Sequence, residues 1–89
     1  MSCSVRVRIN NRRGLHARAA ARFAAEANKF NAKITVRRGT LDVDGGSIMD
    51  LMLLAASKDT ELTITAEGPQ ATEVLAALAY LIESGFGEA

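Results

Sequence analysis

The chain has 89 residues, 48% of them hydrophobic, and its 11 basic and 10 acidic residues give a formal net charge of +1. This length predicts one domain, residues 1–89, and the balanced charge argues against general nucleic-acid or membrane binding. The chain has a single cysteine, Cys3, and a single histidine, which excludes an internal disulfide and a Cys/His metal site. The sequence shows no leader peptide and no apolar span, so we expect a cytoplasmic protein with no membrane insertion.

The spacing of apolar residues predicts seven elements in the order β-α-β-β-α-β-α, because segments with a period of two alternate with segments of helical period. The four strands are expected around Val5–Ile9, Lys33–Arg37, Leu41–Asp44 and Glu61–Glu67. The three helices are expected over Ala17–Asn28, from Ser47 to about Leu54, and between Gly68 and a stop at Gly85. This order predicts an α+β fold, with the helices on one face of a sheet and water on the other.

The only histidine, His16, lies where the first helix is expected to begin. The first turn of a helix has unpaired backbone N–H groups and the positive end of the helix dipole, and both favour a bound anion. The same environment disfavours a protonated imidazole, and the neutral imidazole is the nucleophilic form. Arg18, two residues on, can pair with phosphate oxygens. The stretch therefore indicates phosphoryl capture by His16, with the charge held by the helix end and Arg18.

Other interpretations of these residues remain open at this point. His16 could be an ordinary surface residue and Arg18 a solvated helix residue, whereas a metal site would need further histidine or cysteine ligands. A small hydrolase of phosphohistidine or acyl phosphate would need a positioned water and a base, and no second acid or base is expected beside His16. A small RNA-binding α+β domain is suggested by arginines in or near the strands, namely Arg6, Arg8, Arg12, Arg13, Arg37 and Arg38. The predicted sheet lacks the aromatic stacking residues that such domains use.

Three segments stand out as motifs: Gly14–Ala20 (GLHARAA), the helix start Ser47–Met49 (SIM) and Ile64–Gln70 (ITAEGPQ). Together with the order of elements they resemble the HPr family, the histidine phosphocarriers of the bacterial phosphotransferase system, over roughly residues 5–88. The resemblance implies an open-faced β-sandwich, with three helices on one face of a four-stranded antiparallel sheet. GLHARAA and the segment Ser84–Gly87 also resemble the nitrogen-related branch, so a role in sugar uptake or in nitrogen and carbon regulation stays open.

The resemblance makes His16 the phosphorylated residue, attached through Nδ1, and Arg18 the phosphate-side partner. It implies the backbone N–H groups of Ala17 and Arg18 as further donors. In the family, enzyme I takes phosphate from phosphoenolpyruvate and gives it to this histidine, which passes it to an EIIA-type protein. By analogy the chain is a monomeric relay, not an enzyme, and it needs no cofactor. Ala19 stands where many members have proline, and either residue fits a first turn, where a missing N–H costs little.

Ser47 is expected to cap the second helix, since a serine followed three residues later by Asp50 is a capping-box pattern. The resemblance implies a second role, because in part of the family this serine is phosphorylated by an ATP-dependent HPr kinase/phosphorylase. A phosphate there is tolerated by the helix, but it adds about two negative charges beside a partner surface.

An apolar run in the second predicted helix indicates that this partner surface is a docking face. The run Leu51–Leu54 cannot all face inward on a helix, and we expect Leu51 and Leu54 in the core and part of the rest exposed. The apolar candidates are Ile48, Met49, Met52 and Leu53, with Met52 favoured because methionine adapts to several partners. Arg18 and Arg22 are expected at the rim, which implies an acidic partner surface around an apolar cleft.

Overall fold

The computed structural model of the chain describes residues 2–88 and confirms the predicted order of elements. The strands are β1 (Ser2–Arg8), β2 (Lys33–Arg38), β3 (Leu41–Asp44) and β4 (Glu61–Glu67). The helices are α1 (Ala17–Ala27), α2 (Ile48–Leu53) and α3 (Ala71–Glu83), and a 3-10 turn follows over Gly85–Gly87. The expected stop at Gly85 is confirmed, since its φ of +67° lies in the left-handed region that ends helices. No helix within residues 2–88 has the length and apolar character needed to cross a bilayer.

Two elements begin at different residues from those predicted, and both differences have local causes. β1 begins at Ser2 and not at Val5, because the backbone of its first residues pairs with β4 and Cys3 packs against the core on the same face as Val5 and Val7. α3 begins at Ala71 and not directly after Pro69, because Gln70 is bound to Asn31. The N–H of Gln70 donates to the carbonyl of Asn31 at 3.1 Å, and its Oε1 accepts from the N–H of Asn31 at 2.7 Å.

The sheet has the strand order β1-β4-β2-β3, and each neighbouring pair is antiparallel. In the centre of the sheet, Ile64 of β4 lies opposite Val36 of β2. Alternate strand residues are buried on one face, namely Val7, Ile34, Val36, Val43, Leu62, Ile64 and Ala66. The helices add Phe23, Leu51 and Leu78 to the same core. The predicted fold, three helices on one face of a four-stranded antiparallel sheet, is therefore confirmed.

The other face of the sheet carries polar side chains. The hydroxyls of Ser4 and Thr65 are hydrogen-bonded at 2.9 Å, and Nε of Arg37 donates to Oδ1 of Asp42 at 2.7 Å. None of the four described strands contains an aromatic residue. This face therefore lacks the stacking residues of an RNA-binding sheet, and the RNA-binding alternative gains no support from it.

Gly14 shapes the loop before α1, and we expect its replacement to destabilise the fold. Its φ is +68°, and a Cβ built there would lie 2.6 Å from the Ala56 carbonyl oxygen and 2.9 Å from Cα of Ser57. Gly14→Ala should lower the free energy of unfolding by about 3 kcal/mol, because backbone strain adds to a clash with backbone atoms. Gly39→Ala is the matched control, since Gly39 has a similar φ of +61° but open space at its Cβ position. Equal urea midpoints for the two variants would contradict this explanation.

Candidate functional site

His16 is the N-cap of α1, one residue before the first helical residue. Its backbone is extended, with φ −76° and ψ 178°, and its carbonyl accepts from the N–H of Ala20 at 2.8 Å. The preceding residue, Leu15, donates its N–H to the carbonyl of Ala56 at 2.8 Å, which ties this loop to the segment after α2. The predicted helix start at Ala17 is confirmed, which places His16 directly before the first helical residue.

The first turn of α1 presents unpaired N–H groups next to His16. Within residues 2–88, the N–H groups of Ala17, Arg18 and Ala19 donate to no backbone acceptor, and the side chain of His16 does not cap them. The turn also contains no acidic residue. Because these donors and the helix dipole act in the same direction, the start of α1 is suited to bind an anion. A proline in place of Ala19 would remove no hydrogen bond from this turn.

A carboxylate that the sequence did not predict contacts the imidazole of His16. Nε2 of His16 is hydrogen-bonded to Oε2 of Glu88, and only 14% and 19% of the two side chains are exposed. Oε1 of Glu88 accepts from Nδ2 of Asn11 at 2.9 Å. The hydrogen bond from Asn11 is the main cause that holds the pKa of Glu88 below its usual value, and the hydrogen bond from His16 is the second. The charge of Arg13 acts in the same direction. The expectation that no acid or base lies beside His16 was therefore wrong, since the chain returns to it 72 positions later.

This contact should make the stability of the protein depend on pH in the acid range. The charged groups that face the carboxyl of Glu88 are His16, Arg13 and, around the adjoining cavity, Arg12, Arg18 and Arg22. Because the pKa of Glu88 is lower in the folded protein than its ordinary value of 4.5, its contribution is present above that value and is lost as the pH falls through the folded value. We expect the stability advantage of wild type over Glu88→Gln in urea unfolding to shrink between about pH 5 and pH 3. If the stability advantage of wild type stays unchanged across this range, the result would contradict the hydrogen bonds that Glu88 makes with His16 and Asn11.

Arg18 lines an open cavity of about 350 Å³ beside this carboxylate. The walls of the cavity are formed by Arg12, Arg13, Arg18, Arg22, Gly87 and Glu88. Arg18 is exposed, whereas Arg22 is anchored, because its Nη1 donates to the carbonyl of Phe86 in the 3-10 turn. The cavity is therefore lined mainly by positive charge, with one acidic side chain among its walls.

Ser47 is the N-cap of α2, and its Oγ accepts from the N–H of Asp50 at 3.2 Å, as predicted. The reciprocal bond of a capping box is replaced by two others. The carboxylate of Asp50 accepts from the N–H of Asp44 at 3.3 Å, and the N–H of Ser47 donates to the carbonyl of Asp44 at 3.2 Å. The predicted cap by Ser47 is therefore confirmed. The predicted return bond from Asp50 to the N–H of Ser47 is wrong, because the tight turn after β3 brings the N–H of Asp44 within reach of Asp50.

Replacing Ser47 with alanine should weaken α2, because the backbone N–H of Asp50, in the first turn of the helix, loses its side-chain acceptor. We expect the free energy of unfolding to fall by about 1 kcal/mol. Ser57→Ala is a suitable control, since the hydroxyl of Ser57 lies 3.5 Å from Oγ1 of Thr60 and caps no helix, and it should change stability by less than about 0.5 kcal/mol. Urea titrations of the three proteins measure the difference, and equal midpoints for both variants would count against the cap.

Four apolar side chains of α2 are exposed and form what we call the α2 patch. Their exposed fractions are 80% for Met49, 67% for Leu53, 46% for Met52 and 43% for Ile48. Leu51 and Leu54 are buried, as predicted. Met52, the favoured candidate from the sequence, is not the most exposed, because at about 100° per residue Met49 and Leu53 lie opposite Leu51 on the helix and Met52 lies to one side.

α1 and α2 lie side by side in opposite directions, which separates His16 from Ser47. The start of α1 is bound to the segment after α2 through the Ala56 carbonyl. At the other end, Nδ2 of Asn28, the C-cap of α1, donates to the carbonyl of Gly46 at 3.2 Å, directly before Ser47. The 11 residues of α1 span about 16 Å. The structure therefore brings Arg18 and Arg22 to the His16 end, and it places the α2 patch between His16 and Ser47.

Comparisons with known proteins identify relatives along nearly the whole chain. A family model described as "PTS HPr component phosphorylation site" matches residues 3–84. The phosphocarrier protein HPr of Pseudomonas aeruginosa is 44% identical over 86 residues, which are 96% of this chain and 96% of its own. The phosphocarrier protein NPr of Shewanella violacea is 35% identical over 93% of this chain and 91% of its own.

Solved structures of HPr from Thermoanaerobacter tengcongensis have the same fold. One is 41% identical, covers 98% of both chains and superimposes with a TM-score of 0.94. A second, described as an HPr dimer, is 43% identical over 92% of this chain and 94% of that one, with a TM-score of 0.78. With the family model matched over residues 3–84 and relatives at 44% and 35% identity, the chain belongs to the HPr family, the phosphocarrier proteins of the phosphotransferase system.

Proposed function

We propose that His16 accepts a phosphoryl group from phosphorylated enzyme I and passes it to an EIIA-type protein. The observation that carries this proposal is the position of His16 as the N-cap of α1, beside unpaired N–H groups. In the transfer, the lone pair on Nδ1 forms a bond to phosphorus, and the bond between phosphorus and the donor breaks with its electrons going to the donor. The guanidinium of Arg18 and the N–H groups of Ala17 and Arg18 then hold the phosphoryl oxygens.

The site suits a carrier better than a hydrolase. Glu88 contacts Nε2 of His16, and Nε2 and Nδ1 lie on different sides of the ring. Its carboxylate is therefore not placed to activate a water against a phosphoryl group on Nδ1. A carrier must keep this group until the acceptor arrives, so the phosphorylated protein should release inorganic phosphate slowly on its own.

Labelled phosphoenolpyruvate, enzyme I and an EIIA-type protein test the relay directly. Label should enter the chain only when enzyme I is present, should be lost in acid, and should move to the EIIA-type protein when that protein is added. Failure to label the chain would contradict the proposed function. Rapid release of inorganic phosphate before the acceptor is added would favour a hydrolase.

Regulation at Ser47 by HPr kinase/phosphorylase is the second part of the proposal. Ser47 lies directly before the α2 patch, and its Oγ accepts from a helix N–H, which a phosphate oxygen does at least as well. A phosphate there adds about two negative charges next to the apolar surface. We expect acid-stable label from ATP and the kinase in wild type but not in Ser47→Ala, and slower transfer from enzyme I to the phosphoserine form. Equal transfer rates with and without this phosphate would argue against a regulatory role.

The surface that meets both partners is proposed to be the α2 patch with a basic rim from Arg18 and Arg22. Arg22 contributes from a fixed position, because it is anchored to the carbonyl of Phe86. An apolar surface with a basic rim favours an acidic partner surface around an apolar cleft. We expect Met49→Asp to weaken binding of enzyme I more than Met49→Leu, because Met49 is 80% exposed and a negative charge there opposes an acidic partner.

We propose that the chain is a one-domain monomer that works in the cytoplasm. Sedimentation equilibrium tests the monomer, and a dimer at micromolar concentration would overturn that part. The choice between sugar uptake and nitrogen-related regulation rests on the acceptor. Transfer of label to EIIA-type proteins of the two branches, measured side by side, decides between them.

A further inference from the structure

The segment after α3 is built so that Glu88 is held in one place. Phe86 in the 3-10 turn is fully buried, although its φ of +58° is unusual for a residue other than glycine. Its carbonyl accepts from Arg22 of α1, and the N–H of Glu88 donates to the carbonyl of Gly85 at 3.0 Å. A buried aromatic side chain with an unfavourable backbone conformation indicates that the surrounding structure determines this turn.

Asn11 connects the carboxylate of Glu88 to the loop that carries His16. Asn11 is only 6% exposed, and its Nδ2 donates one hydrogen to the carbonyl of Gly14 at 2.8 Å and the other to Oε1 of Glu88 at 2.9 Å. Its Oδ1 is buried and has no partner within the described part of the chain. Buried polar atoms are usually paired. In Asn11 only the amide nitrogen is paired, and its two hydrogen bonds set the orientation of the amide.

The geometry determines which nitrogen of the imidazole carries the proton. An ionised carboxylate can only accept hydrogen bonds, and the ionised form of Glu88 is favoured by Asn11, His16 and Arg13. Nε2 of His16 must therefore donate to Oε2 of Glu88. In the neutral imidazole the lone pair then lies on Nδ1, the nitrogen that forms the bond to phosphorus in the proposed transfer.

We propose that Glu88 is the positioning residue of His16: its carboxylate fixes the orientation of the ring and the tautomer with hydrogen on Nε2, which leaves Nδ1 free to attack phosphorus. This inference rests on the proposed function and names the group that prepares its nucleophile. When Nδ1 bonds to phosphorus, Nε2 keeps its proton and the ring becomes positively charged. The carboxylate of Glu88 then lies beside that charge and stabilises the phosphorylated form.

The test compares Glu88→Gln with Glu83→Gln, which removes the same charge nearby. Glu83 ends α3 and reaches Asn10 only through its backbone carbonyl. In ¹⁵N NMR spectra of the unphosphorylated imidazole, wild type and Glu83→Gln should show the Nε2–H tautomer in large excess, and Glu88→Gln should show a mixture. Single-turnover transfer from enzyme I should be slower in Glu88→Gln by about tenfold or more, as for other partners that orient a histidine. Glu88→Asp, which keeps the charge, should recover part of the rate.

Two outcomes would overturn the inference. The first is an unchanged tautomer ratio in Glu88→Gln, whether or not transfer is slower, since slower transfer alone would assign Glu88 a structural role. The second is a shifted tautomer ratio with an unchanged transfer rate, since the tautomer would then not matter to the reaction. If wild type itself takes no phosphate from enzyme I, the proposed function fails, and the tautomer ratio of the unphosphorylated proteins still decides whether Glu88 sets the state of the ring.

Discussion

Replacing His16 with alanine is expected to abolish the uptake of phosphate from phosphoenolpyruvate and enzyme I. The start of α1 would still attract an anion, but no nucleophile would remain to form a bond to phosphorus. Loss of a nucleophile lowers transfer by about 10⁴-fold or more, so acid-labile label should fall to background. The measurement is the amount of acid-labile label on the chain over time at a fixed concentration of enzyme I.

The fold should survive this change, because the side chain of His16 makes no capping bond to α1. Circular dichroism and a urea titration check this point. Ser47→Ala is the companion variant for the transfer assay, since Ser47 lies at the far end of α1 and should accept phosphate from enzyme I at the wild-type rate. Acid-labile label on a folded His16→Ala protein would show that another residue is the acceptor.

Replacing Arg18 with alanine is expected to slow transfer by about 10²–10³-fold, the range found when one donor to a developing charge is removed. The guanidinium of Arg18 is exposed at the cavity beside His16, and it can donate two parallel hydrogen bonds to phosphoryl oxygens. Arg18→Lys keeps the charge but loses this paired geometry, so its rate should lie between those of wild type and Arg18→Ala. Rapid-quench measurements of a single transfer from phosphorylated enzyme I give these rates.

A loss of positive charge alone should have a much smaller effect. Arg6 provides the control, because its side chain is 75% exposed on the open face of the sheet. Arg6→Ala should change the rate by no more than about twofold, through weaker long-range attraction that salt screens. Similar losses for Arg6→Ala and Arg18→Ala would mean that Arg18 acts only through net charge and does not touch the phosphoryl group.

The sheet and the helices could be predicted from the sequence because their apolar residues follow the period of each element. Val36 in β2 and Ile64 in β4 each belong to a run in which every second residue is apolar and buried. Leu51 and Leu54 lie on one side of a short helix. The start of β1 was predicted too late. Cys3 continues the alternation of Val5 and Val7, and backbone pairing with β4 extends the strand to Ser2.

The local half of the candidate site could also be predicted, since His16 and Arg18 are close in sequence at a helix start. Glu88 and Asn11 could not, because their contact joins residues 77 positions apart and depends on how the turn after α3 folds back. Glu88 is also one of 10 acidic residues in the chain, and nothing in its neighbours marks it as a partner of the histidine. The stop at Gly85 was the one signal that the chain turns there.

The phosphoryl relay is tested by locating the phosphate on protein treated with enzyme I and phosphoenolpyruvate. NMR of the ¹⁵N-labelled protein identifies the imidazole nitrogen that is bonded to phosphorus. We predict one phosphoryl group on Nδ1 of His16, with hydrogen retained on Nε2, and its disappearance when an EIIA-type protein is added. Phosphate on Nε2 of His16 or on any other residue, or phosphate that no EIIA-type protein can remove, would contradict the proposed relay.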